Sequence, residues 1–433
     1  MKTKKLLLML SIIMTTIACQ KKDEPYLLNQ GDITFPELLA SNELSVQVGQ
    51  LLRVDTESVS DENVIYEWLL DGVQIAQTKD LEWMIEVAGK YELELIATQN
   101  SQTYSYKFNV LVNFGEIAPP DEGATAYITK VLDYLPAPAQ FVNKLPKYNE
   151  GDTQETMNAK VLESIGNNKK RMITLGSYGG YVIVGFDHTI QNIEGKRDFR
   201  VIGNAFYSAA NPDSNAPEGG SCEPGIIMVA YDANENGVPD DNEWYEIAGS
   251  SHEDVTLEPW YQKAVDNGND VNFYFNDFEL TYTKPENLTP ANGTEEFTNY
   301  IPWRDNKGGD GFVPKNIFHR QSWFPGWVTT NEIRFRGSRL PQNGIDESGE
   351  GKYYVLYKFR YGYADNETNT KDDSAIDISW AVNSKGQRVN LPGVDFIKIY
   401  NGVNQVNGWL GECSAEITNI EDLHILGIDI PTR

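Results

Sequence analysis

Histidine and cysteine are scarce, four and three residues in a chain of 433. Three cysteines cannot build a disulfide-dense scaffold or a four-thiolate zinc site. The histidines stand at 188, 252, 319 and 424, and no two have metal-ligand spacing. Neither a G-x-S-x-G elbow, an H-E-x-x-H pair nor a P-loop occurs, which leaves the common hydrolase, zinc-protease and nucleotide chemistries without a motif. Glu412 and Glu416 have the look of a glycosidase pair, but among 63 acidic residues such pairs arise by chance. The chain is therefore read as a binding protein and not an enzyme. Positive charge is short as well: 36 basic residues against 63 acidic give a net charge of −27. Nucleic acid needs a basic patch to displace counterions, so it is excluded as a partner. Long apolar runs are missing beyond the first twenty residues, so no later segment reaches the roughly 20 apolar residues of a spanning helix.

The chain opens "MKTKKLLLMLSIIMTTIAC", three lysines before an apolar run from Leu6 to Ile13. That is the pattern of a secretory signal, residues 1–18, to be set aside from the fold. Its "TTIAC" end resembles a lipoprotein signal-peptidase box, which implies that Cys19 is acylated and becomes the mature N-terminus; the alternative is an ordinary signal with an incidental cysteine. A lipid anchor holds a protein to a membrane without spanning it. "CQKKDEP" follows, and Lys22-Asp23-Glu24 resembles the export tag of Bacteroidetes-type lipoproteins, implying the outer face of the outer membrane. Residues 19–36 read as the tether.

Residues 37–114 alternate with period two in "LSVQVGQLLRVD", "VIYEWLLDG", "LEWMIEV", "GKYELELIATQ" and "YSYKFNVLV". Turn residues separate the runs at the spacing of a β-sandwich. Trp68 falls mid-strand, where an immunoglobulin-like core places a large aromatic, and Tyr91 follows a turn as a tyrosine corner does. "YEWLLDG" resembles the signature of PKD-type modules, which act as spacers. "GEIAPPDEG" marks a linker. Beyond it, residues 122–433 carry many further strands and long loops, implying a jelly-roll-like sandwich with functional loops. One helix is predicted in "GDTQETMNAKVLESIGNN", capped by Asp152, striped by Met157, Val161, Leu162 and Ile165, and ended at Gly166. A second short helix falls in "LEPWYQKAVD". The fold class is mainly β: an N-terminal Ig/PKD-like sandwich and a larger jelly-roll-like domain with one or two short helices.

"DANENGVPDDNE" places oxygens at calcium-loop positions: Asp232, Asn234, Asn236, the Val238 carbonyl, Asp240 and Glu243, with Gly237 at the sharp turn. Strand-like flanks make such an ion structural. The alternative is a polar hairpin turn, for which Asn, Asp and Gly are common formers. A second constellation is aromatic, "YIPWRDNKGGDGFVPKNIFHRQSWFPGW". Flat rings beside hydrogen-bonding groups grip sugars and planar macrocycles, so Trp303, His319, Arg320, Trp323 and Trp327 are the candidate ligand contacts. His319 has the chemistry to reach a metal centre, cobalt in a corrinoid included. For His319, as for His188, the alternative is a buried, hydrogen-bonded imidazole. Cys222 and Cys413 are either bridged, which an oxidising surface allows and which would stabilise by about 4–5 kcal/mol by loop-closure entropy, or two buried thiols.

Four blocks carry a wider resemblance: "LGSYGGYVIVGFDHTIQNIEGKRDFRVIGNAFY", "EPGIIMVAYDANENGVPDDNEWYEIAGS", "YGYADNETNTKDDSAIDISWAV" and "LPGVDFIKIYNGVNQVNGWLGECSAEI". Over about residues 122–430 the chain resembles a Bacteroidetes-type family of cell-surface lipoproteins with a PKD-like module in front. The resemblance implies an accessory to a TonB-dependent outer-membrane transporter, with cobalamin or another corrinoid as the ligand and no catalytic motif. It also finds Cys222 and Cys413 at small-residue positions, which favours the bridge. Carbohydrate recognition or adhesion is the alternative function.

Overall fold

The computed structural model describes residues 26–28 and 42–433, apart from 49, 57–62, 86, 100, 116 and 209–213. The signal segment, Cys19 and most of the tether lie outside the described residues. Within the tether, Tyr26–Leu28 is a strand that pairs in parallel with Val54–Thr56, so a piece assigned to the tether belongs to a sheet. The chain divides into two compact units, with the boundary in sequence between Val112 and Asn113 and residues 87–89 counted with the second.

The first unit is a two-sheet sandwich. One sheet runs in the order Glu43–Gln47, Gln102–Asn113, Gly89–Gln99, Val64–Leu70, Val73–Ala76, and the other holds Tyr26–Leu28, Leu51–Thr56 and Leu81–Met84. Alternation does the work here. Leu52 and Val54 point inward from one sheet and Trp68, Leu93, Leu95 and Phe108 from the other, closing a single core. Trp68 is fully buried, and its indole N–H donates to the Thr78 carbonyl at 3.0 Å, so the ring is buried without orphaning its polar end. Asp71-Gly72, both at positive φ, turn the chain between Val64–Leu70 and Val73–Ala76 as a two-residue hairpin requires.

The second unit is built on a six-stranded antiparallel sheet ordered Ala381–Val382, Trp244–Ile247, Gly225–Ala230, Gly393–Asn401, Tyr181–Gln191, Lys130–Leu135. Its central strand, "GVDFIKIYN", is buried along nearly its whole length because both faces are covered. A four-stranded sheet, Asp310–Val313, Ile301–Asp305, Tyr274–Thr283 and Glu332–Arg339, packs a second core of Tyr178, Phe278, Tyr282, Trp323 and Phe335. Smaller sheets and long loops complete the unit. The mainly β, sandwich class with a few short helices is what the alternation predicts.

The predicted helix spans Gln154–Ile165 and buries Met157, Val161 and Ile165, as its stripe requires. Its cap is one residue later than predicted: Thr153 accepts the Thr156 N–H. Asp152 instead takes the Asn149 N–H at 2.6 Å and pairs with Lys160. The second helix, Tyr261–Asp266, lies within the predicted segment. Among the described residues, no helix is long and apolar enough to cross a membrane.

Candidate ligand-binding site

The aromatic segment separates into core and surface. Trp323 is fully buried among Tyr178, Tyr300 and Phe324, and its N–H is used by the His319 carbonyl at 3.1 Å. It is a core residue and not a ligand contact, which corrects the sequence reading; a large strand-rich unit needs such rings inside. Trp327 is half-buried, stacked on Tyr134 with centroids 6.0 Å apart and donating to Gln154 Oε1 at 2.9 Å. Trp303, also half-buried, lies over Gly311 on the neighbouring strand, where a Cβ would come within 2.7 Å of the indole. Arg320 is exposed. Of the five candidates, His319 alone lines the cavity described next.

That cavity encloses about 310 Å³. Its rim is aromatic: Phe318 and Trp409 are 64% and 56% exposed, and Phe141 meets the His319 ring edge-on at 4.8 Å. Trp409 is presented by a single helical turn, Gly408–Leu410, between Gly408 and Gly411, both at positive φ. At Gly411 a Cβ would strike Gln140. The floor is polar and buried. Glu223, Glu412, Ser414 and Glu416 converge there with Asn204 and Asn407, and Asp365 lies directly behind, its ligand oxygen within 4.8 Å of those of Glu223 and Glu416.

Local structure fixes each acid. Glu416 starts a short strand paired with Ile173–Thr174, and its Oε1 accepts from Thr174 Oγ1 at 3.0 Å and Ser414 Oγ at 2.9 Å. Glu223 accepts the Ser414 N–H at 3.0 Å. Asp365 accepts the N–H groups of Asn204, Ala205 and Glu416 at 2.7, 2.8 and 2.9 Å. Glu412 Oε1 takes the Gln140 N–H at 2.8 Å. None of the four forms an ion pair with a lysine or arginine among the described residues. Burial and, second, the charge of Asp365 push the Glu223 carboxyl up to about 8. Burial alone lifts Asp365 and Glu412 to about 7 despite their N–H donors, and burial with Glu223 and Asp365 raises Glu416 far above the usual carboxylate range. Three further acceptors, Asn204 Oδ1, Asn407 Oδ1 and Glu412 Oε2, are buried and have no hydrogen-bond partner among the described residues. A buried acceptor without a donor costs about 1–3 kcal/mol. Acceptors without a donor thus lie just behind the floor of a cavity rimmed by exposed rings, each closed to solvent by its neighbours.

His319 stays neutral at this rim. Burial, then the Lys144 and Lys315 charges, hold its pKa below the usual histidine value, and the Lys144 ammonium donates to Nδ1 at 3.0 Å.

The calcium-type segment closes between strands Gly225–Ala230 and Trp244–Ile247. Asp232 accepts the N–H groups of Asn236 and Gly237 at 3.0 and 2.7 Å, and the amides of Asn234 and Asn236 reach Asp240 Oδ2 at 2.7 and 2.9 Å. Asn234 Oδ1 and Asn236 Oδ1 accept the N–H groups of Asn236 and Val238 at 3.0 and 2.9 Å, so the segment closes as a hydrogen-bonded polar loop in which amide N–H groups, not oxygens, face Asp240. Glu243 is buried against the same loop, its two oxygens taking the N–H groups of Ala233 and Asp240. Val238 is exposed at the tip. Cys222 and Cys413 are free, buried thiols, so the bridge is not formed. Cys413 is packed into an apolar cluster with Leu340, Tyr357 and Val403, to which Cys222 does not belong.

The sequence reading missed Gln140, Phe141, Asn204, Glu223, Asp365, Asn407 and Trp409, and passed over Glu412 and Glu416. Only "GECSAE", with acids flanking small residues, carried a local signal, and chance pairs masked it.

No protein-family model matches the chain, and no curated protein matches it. Among solved structures, a quinonprotein alcohol dehydrogenase-like protein from Bacteroides thetaiotaomicron aligns over 38% of this chain and 36% of its own, at 17% identity and a TM-score of 0.17. A SusE-like protein aligns over 88% of this chain and 95% of its own, at 8% identity and a TM-score of 0.20. At those scores neither alignment amounts to a common fold.

Proposed function

We propose that this protein is a lipid-anchored protein of the outer-membrane surface that binds a carbohydrate in the Trp409 cavity and passes it to a partner transporter. The observation that carries the reading is the pairing of unmet buried acceptors with exposed rings. A small side-chain turn at Asn204 or Glu412 would bring their unmet oxygens to sugar hydroxyls, and the apolar face of a pyranose lies on Trp409 or Phe318. A volume of about 310 Å³ suits one or two sugar units. Tethering beside a transporter raises the effective concentration of captured ligand. The anchor, the surface location and the transporter rest on the N-terminal sequence and the resemblance of the four blocks.

The second reading is corrinoid capture, favoured by those same blocks. A corrinoid is several times larger than the cavity, so only an edge or side chain would enter it, with the ring over Trp409 and Phe318. In both readings the Asp232–Glu243 segment would hold a structural calcium ion that stiffens a loop, with Asp232, Asn234, Asn236, Val238, Asp240 and Glu243 as the ligand set once the two asparagine amides turn their oxygens inward.

A glycan array followed by calorimetric titration of the lipid-free chain, with cyanocobalamin in parallel, tests both. Saturable sugar binding that Trp409→Ala weakens supports the first reading. One-to-one cyanocobalamin binding without sugar binding replaces it with the second.

A further inference from the structure

We infer that the cavity floor is a divalent-cation site, with Glu223, Asp365 and Glu416 as carboxylate ligands and Asn204 Oδ1 as a neutral fourth. Ligand oxygens of the three acids lie within 4.8 Å of one another. Like charges this close in a largely desolvated site need either shared protons or a counter-cation, and no lysine or arginine supplies the charge among the described residues. A second, independent observation points to a guest. Glu412 is 4% exposed and lines the same cavity, yet its Oε2 has no partner, and Asn204 Oδ1 is likewise unmet. Asn204 sits against the cluster: its backbone N–H donates to Asp365 at 2.7 Å and its Nδ2 to Glu416 Oε2 at 3.3 Å, so turning the amide over would bring the unmet Oδ1 onto the cation.

The donor set selects the ion. All the groups are oxygens and most are carboxylates, with no thiol or imidazole, which suits a hard cation. Irregular ligands drawn from three loops and the start of a short strand fit calcium, with its flexible six to eight oxygens, better than magnesium, which demands a near-ideal octahedron. The cavity opens to solvent on the far side, leaving positions for water or for ligand hydroxyls. This site is separate in sequence from the Asp232 loop and does not depend on the identity of the ligand.

Calorimetric titration of the chelator-stripped lipid-free chain with calcium chloride, and with magnesium chloride for comparison, tests it. We expect a calcium-binding event that survives Asp232→Asn, weakens at least tenfold in Glu416→Gln, and is weaker still with magnesium. Asn204→Asp adds a carboxylate ligand and should tighten calcium about tenfold. In a proton-sharing cluster without a cation the same change adds only repulsion. Removing a buried acceptor at Glu416 can unfold the chain, which circular dichroism reveals, and Asn204→Asp then decides alone. Absence of calcium binding in Asp232→Asn, unchanged binding in a folded Glu416→Gln, or no tightening in Asn204→Asp would overturn the assignment.

Discussion

Asp365 holds the backbone of Glu416 in place: its Oδ2 accepts the Glu416 N–H at 2.9 Å, while Oδ1 takes the N–H groups of Asn204 and Ala205. One buried carboxylate thus joins three loops beneath the cavity. The approach is close enough that a Cβ on Gly203 would lie 2.3 Å from Oδ1. Asp365→Ala leaves three backbone donors without an acceptor, each worth about 1–3 kcal/mol. We expect it to be among the most destabilising substitutions in the second unit. Urea denaturation in chelator measures this; a change under 1 kcal/mol would mean that water replaces the carboxylate.

Trp409 and Trp323 are both tryptophans near the cavity but answer to different forces. Trp409→Ala removes an exposed ring and should leave the melting temperature unchanged while weakening sugar binding about tenfold, the scale of one lost stacking contact. Trp323→Ala empties a fully buried site and should cost about 3–5 kcal/mol. Paired melting curves and titrations separate the two. If Trp323→Ala melts like the parent, its core assignment is wrong.

The Asp232 loop has its own test. Chelation should lower the melting temperature, and Asp232→Ala should abolish the part of that shift due to this loop. Scanning calorimetry with and without calcium reads the difference. A chelator shift identical in the two proteins would reduce the segment to a polar turn.

His188 is buried between Asp187 and Asp422, at 2.9 and 2.8 Å. Burial opposes its charge, but hydrogen bonds to Asp422 and Asp187 outweigh it and raise the pKa above 6.5. A base whose folded pKa is raised stabilises fully below its unfolded value and loses that contribution as pH rises through the folded one. The stability gap between the parent and His188→Gln should therefore be widest below pH 6.5 and shrink in alkali. Denaturation at several pH values checks the slope, and a gap that widens with pH would show that the imidazole is buried neutral.

Much of the architecture is written locally. Period-two alternation around Trp68 and the "LLDGV" turn specify strands and a hairpin, because each inward residue has only one face on which to leave water. The 3.6-residue spacing of Met157, Val161 and Ile165 specifies the helix in the same way. The polar closure of the Asp232 loop, with Asn234 and Asn236 donating to Asp240, is written locally as well, since a twelve-residue segment carries its own geometry.

Class, periodicity, the polar loop and the acidic balance are all properties of neighbours along the chain and need no packing to be read. Only the packed fold separates core tryptophan from rim tryptophan, leaves Cys222 and Cys413 as free thiols, and brings Glu223, Asp365 and Glu416 to one floor. Those acids are separated by up to 193 positions in the chain. Their proximity comes from sheet order and loop closure, and so does the desolvation that makes them unusual. A carboxylate's chemistry depends on its dielectric and its neighbours, and both are set only when the strands have packed.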